Sequence, residues 1–113
     1  MSRSNLLLKS PPYNVEKALR DLGENLRLAR LRRNMTIAEA AEKIGTGPRA
    51  VMDAEKGKGS TGIAVYAALL WLYDLLWQFG DVAEPESDKQ GVLLDSLRQR
   101  QRARKRIELD NKF

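Results

Sequence analysis

The tetrad Gly45-Thr46-Gly47-Pro48 constrains this chain more than any other feature. On its N-terminal side, Ile37, Ala40, Ala41 and Ile44 recur at helical spacing and supply a small apolar face. Thr36 stands where an N-cap belongs, and Glu39 three residues on completes a capping box. Gly45 ends that helix. Pro48 opens the next one, because a proline at the first helical position lacks only an N–H that has no helical partner there. Val51 and Ala54, three residues apart, point inward, and Gly57 closes the second helix. Two short helices must therefore meet across a very tight turn, and glycine permits the left-handed backbone such a turn requires.

The flanks read as further helices. Residues 1–13 read as an N-terminal extension ending in Ser10-Pro11-Pro12-Tyr13, where two prolines are expected to exclude helix. Asn14 is the expected N-cap of a helix whose apolar positions are Ala18, Leu19, Leu22, Leu26 and Ala29. Arg27, Arg30, Arg32 and Arg33 load its C-terminal end, where the macrodipole favours cations, and Asn34 can stop it in a left-handed conformation. After the loop Lys58 to Gly62, helices are expected over about Ile63 to Leu72 and Leu75 to Val82. Glu84-Pro85-Glu86-Ser87-Asp88 reads as a linker. A last helix from Gly91 to Lys105 is amphipathic only at Val92, Leu93, Leu94 and Leu97, and Ile107-Glu108-Leu109 alternates like a strand but is too short to assign as one. The expected organisation is an extension (1–13), an all-α domain of five helices (14–84), and a linker, possible helix and basic tail (85–113).

Composition narrows the chemistry. The 113 residues contain no cysteine and no histidine, which removes disulfides, thiolate metal sites and the commonest general base and metal ligand. No enzyme activity, metal or cofactor is expected. The net charge of +5 is unevenly placed: residues 95–113 hold seven Lys/Arg against three acids. A basic end of this kind suits DNA or an acidic partner, or is simply solvated. Leu6 to Leu8 is too short for a signal peptide, and the apolar run Ile63 to Tyr73 is well below the roughly 20 residues that span a bilayer. The expectation is a cytoplasmic protein with no membrane partner.

Two short helices joined by a glycine-containing turn match the helix-turn-helix. The stretch LGENLRLARLRRNMTIAEAAEKIGTGPRAVMDAEKGKG resembles the helix-turn-helix domain shared by phage repressors and the XRE family. The matching elements are Leu26, Ala29-Arg30, Thr36, Glu39, Ala41, Ile44-Gly45, Val51 and Glu55-Lys56-Gly57. More narrowly, the front SPPYNVEKALRDLGENLRLARLRRN, the back LWLYDLLWQFGDVAEPESDKQGVLL and the arginine-rich end resemble HipB-type antitoxins. That resemblance implies a homodimer that represses its own operon at a palindromic operator and binds a HipA-like kinase toxin. A stand-alone XRE-family regulator and a protein–protein adaptor on the same helices are the competing readings.

The resemblance assigns roles by position. Arg30 and Glu55 fall where phage repressors form an internal salt bridge. The first helix of the pair braces on the DNA backbone, and the second enters the major groove. Thr36 and Ile37 begin the bracing helix, where a phosphate can bind or Thr36 can simply cap. Thr46, Gly47, Pro48, Arg49, Met52 and Asp53 line the turn and the outward face of the second. Arg49 is the expected base reader, since a guanidinium grips guanine O6 and N7 together; its alternatives are a phosphate contact or an i,i+4 pair with Asp53. Lys56 and Lys58 are expected phosphate contacts that set register. Met52 and Asp53 depart from the family's usual polar readers, which leaves the operator sequence open. Tyr73, Trp77 and Phe79, in an aromatic-rich segment too large for so small a core, are the expected dimer interface.

Overall fold

The computed structural model describes residues 5–111, whose regular secondary structure is all helix, with no strand among them. The chain divides into two compact units, with the break after Phe79. Among the described residues no helix is long and apolar enough to cross a membrane.

In the first unit, α1 (Leu6–Lys9) is a single turn capped by the Asn5 side chain, which accepts from the Leu7 N–H. The prolines thus exclude helix only from their own vicinity: α1 is complete before Pro11. The next helix, α2 (Tyr13–Arg32), starts one residue before the expected Asn14 cap. Pro12 holds the N-cap position, and its carbonyl accepts from Val15 and Glu16 at 3.0 and 3.1 Å. Asn34 takes a φ of 56° after the helix end.

α3 (Ile37–Ile44) carries the full capping box of Thr36 and Glu39, and Gly45 ends it at a φ of 80°. α4 (Pro48–Glu55) begins with Gly47 as N-cap and Pro48 in the first helical position. α5 (Ile63–Leu72) is apolar all round and buries Tyr66, Leu69 and Leu70. Asp74 at a φ of 61° breaks the helix, and the expected helix over 75–82 is a tighter 3-10 segment, Leu76–Asp81.

The core draws on each of α2 to α5: Leu26 and Ala29, Ala40 and Ala41, Val51 and Ala54, then Tyr66, Leu69, Leu70 and Tyr73. Four of these ten are alanines, so helix backbones approach closely rather than standing apart on large side chains. Gly23 of α2 extends the pattern. A Cβ there would lie 2.5 Å from the Glu55 carbonyl oxygen and 2.7 Å from that of Ala54. At Gly57 a Cβ would lie 2.5 Å from the Leu19 carbonyl oxygen. The two glycines let α2 press directly on the C-terminal end of α4.

The second unit holds a short 3-10 turn, Pro85–Ser87, and α6 (Lys89–Asn111). α6 outruns the expected 91–105 at both ends and takes in Ile107 to Leu109, whose alternation is too short to mark a strand. The positions 112 and 113 of the expected basic tail lie outside the described residues.

Candidate nucleic-acid interface

α4 is held from beneath and behind. Val51 and Ala54 are fully buried on its inner side. Behind it, Arg30 Nε donates to Glu55 Oε2 at 2.7 Å and Nη2 donates to Oε1 at 3.0 Å, while Nη1 donates to the Met35 carbonyl at 2.8 Å. The Arg30 and Glu55 side chains are 9% and 6% exposed. Removing a guanidinium from water is costly, and the two-pronged geometry with a third acceptor is what compensates. The hydrogen bond to Glu55 raises the Arg30 pKa above its already high usual value, outweighing the opposing effect of burial. One arginine thereby links α2, the α2–α3 connection and the last residue of α4.

A second arginine, one turn on, does the same for α5. Arg33 donates to the Ala29 carbonyl at 2.9 Å and to the Tyr73 carbonyl at 2.8 Å, and its guanidinium lies 5.4 Å from the Tyr73 ring centre. Arg33 read from sequence as dipole compensation only. Its partner is 40 residues away, and no local pattern signals that.

With its inner face fixed, α4 offers Pro48, Arg49, Met52 and Lys56 to solvent. Arg49, in the first turn, is 80% exposed at its side chain. Its Nε lies 3.6 Å from Asp53 Oδ1, and Lys58 Nζ lies 3.3 Å from the same oxygen. That oxygen is buried and accepts no hydrogen bond. Asp53 therefore sits between two cations, in ion-pair contact with both. Lys58 is anchored further by its main chain: its N–H donates to the Asp53 carbonyl at 3.1 Å, and its carbonyl accepts from the Tyr66 hydroxyl at 3.2 Å.

The start of α3 lies alongside. Ile37, Met52 and Lys56 line one shallow hollow together with Arg27, a residue the sequence reading used only for its charge. Ile37 also packs against the core. Thr36 Oγ1 accepts from the Glu39 N–H at 3.1 Å and is itself within 3.1 Å of Glu39 Oε1. The Thr36 hydroxyl is thus occupied by its own helix, and the Glu39 carboxylate stands at the helix start. Thr46, half-buried in the turn, donates its N–H to the Ala41 carbonyl at 2.9 Å. The candidate residues from Thr36 to Lys58 thus belong to one region built by α3, the turn and α4.

The aromatic group divides. Trp77 is 67% exposed and Trp71, on α5, is 61% exposed, while Phe79 is half-buried against the core. Tyr73 is 1% exposed, which corrects its expected place in a dimer surface. It caps α5 from inside the core, under Arg33, and has no face to offer a second subunit.

Comparison with protein-family models, with curated proteins and with solved structures finds no match to this chain.

Proposed function

We propose that this protein is a sequence-specific DNA-binding transcriptional repressor of the helix-turn-helix type. The observation that carries the reading is the treatment of α4: its inner face is locked by Val51, Ala54 and the Arg30–Glu55 pair, while its first turn projects Arg49, 80% exposed, with Asp53 as its one ion-pair contact among the described residues. A rigid helix with a projecting guanidinium suits a major groove, where Arg pairs with guanine O6 and N7. In this reading α3 braces on the DNA backbone, Lys56 and Lys58 contact phosphates, and the free N–H groups at the start of α3, rather than the Thr36 hydroxyl, face the phosphodiester. Trp77 with exposed neighbours pairs two copies, so that two α4 helices meet a palindrome one DNA turn apart.

The resemblance to HipB-type antitoxins extends the reading to an autorepressing antitoxin with a HipA-like kinase toxin as partner. The experiment for the DNA reading is a titration of the DNA upstream of the protein's own reading frame with wild type and Arg49→Ala. Loss of preference over random duplex in the variant supports base readout. Unchanged preference refutes that role, and no DNA binding by either form favours a protein–protein adaptor. Co-purification of the product of an adjacent kinase-like reading frame tests the antitoxin extension.

A further inference from the structure

α6 buries none of its residues, so packing does not account for it. Its composition works against it as well. From Arg98 to Arg106 it holds six cations and no acid. Arg98–Arg102, Arg100–Arg104 and Arg102–Arg106 are like-charge i,i+4 pairs, which disfavour a helix. The acids of the same helix, Asp95, Glu108 and Asp110, form no ion pair with any of the six. Such a helix is stabilised by a polyanion that neutralises it.

The angular distribution narrows which polyanion. At about 100° per residue, Arg98, Arg102, Lys105 and Arg106 lie within roughly one third of the circumference, and Arg100 and Arg104 lie on the opposite side. A flat acidic protein surface would neutralise one of these sides and leave the other bare. A groove walled by phosphates on both sides neutralises both. The major groove of B-form DNA is about 12 Å wide and accepts a helix of about 10–12 Å diameter. The corresponding groove of duplex RNA is too narrow and deep.

We propose that α6 lies in the major groove of duplex DNA as a sequence-independent contact, with Arg98, Arg102 and Arg106 toward one phosphate strand and Arg100 and Arg104 toward the other. This contact is separate from α4 and does not rest on the reading of α4.

The test uses the full chain and a random-sequence duplex, with affinity measured across a salt series. Substituting Arg98, Arg100, Arg102, Arg104 and Arg106 by Gln, a good helix former, is expected to weaken binding by about a hundredfold at low salt and to flatten the logarithmic salt slope by about 3 or more. The two-residue variants Arg98→Gln/Arg102→Gln and Arg100→Gln/Arg104→Gln are each expected to lose affinity, in the background of Arg49→Ala/Lys58→Ala as well. An unchanged slope in the five-residue variant overturns the proposal, whatever α4 does. Loss from only one two-residue variant overturns the groove geometry, and equal or tighter binding of duplex RNA or polyglutamate overturns duplex DNA as the partner.

Discussion

Lys58 Nζ lies 3.3 Å from Asp53 Oδ1, a carboxylate oxygen shielded from solvent on the outward side of α4. Arg49 approaches the same oxygen, so one anion restrains both cations of the proposed reading face. Asp53→Asn is expected to tighten binding to random duplex DNA several-fold and to steepen the logarithmic salt slope by about 1. Preference for the operator should fall, because Arg49 no longer exchanges one partner for another. Equilibrium titrations at several salt concentrations check this, and an unchanged slope would refute it.

Arg30 and Glu55 make a different prediction, about stability alone. Arg30→Met leaves a carboxylate buried without its partner and is expected to cost on the order of 3–5 kcal/mol; the double variant Arg30→Met/Glu55→Leu should recover much of that loss. Urea unfolding of the two single variants and the double variant measures the coupling. Simple additivity of the two losses would show that the pair does not act as a unit.

Gly23→Ala places a methyl group against the main chain of Ala54 and Glu55. Backbone cannot step aside as a side chain does, so a loss of about 1–3 kcal/mol is expected despite the gain in helix propensity. Thermal unfolding of this single variant provides the check.

Burial raises the pKa of both Tyr66 and Tyr73. For an acid this means the folded state favours the neutral form. The associated stability is fully present below the unfolded tyrosine value of about 10 and is lost as pH rises from there toward the folded values. Alkaline titration followed by circular dichroism should show helix loss beginning above about pH 10. Tyr73→Phe should remove part of that dependence. The Tyr73 hydroxyl is buried without a partner, so at neutral pH this variant should be as stable as wild type or more stable by about 1 kcal/mol.

Legibility in the sequence follows the range of the interaction. Thr36 with Glu39, Gly45 and Pro48 act within one turn of the chain, and their spacing alone places the ends of α3 and the start of α4. Leu26, Val51 and Ala54 follow from helical periodicity. Gly23 and Arg33 escape the same reading because their partners lie 31 or more residues along the chain. The aromatic-rich segment overfills a small core by composition, which places Tyr73 at a surface; the structure instead buries Tyr66 and Tyr73 and leaves Trp71 and Trp77 outside. The full length of α6 was illegible because a helix with no buried side leaves no periodic trace.

Gly23 and Gly57 let the main chains of α2 and the end of α4 come into direct contact. No side chain on the outer side of α4 takes part in that contact. Positions 49, 52 and 56 are therefore free to vary without shifting the scaffold, and under the proposed function a related chain acquires a new target by exchanging these few residues while its folding instructions stay untouched.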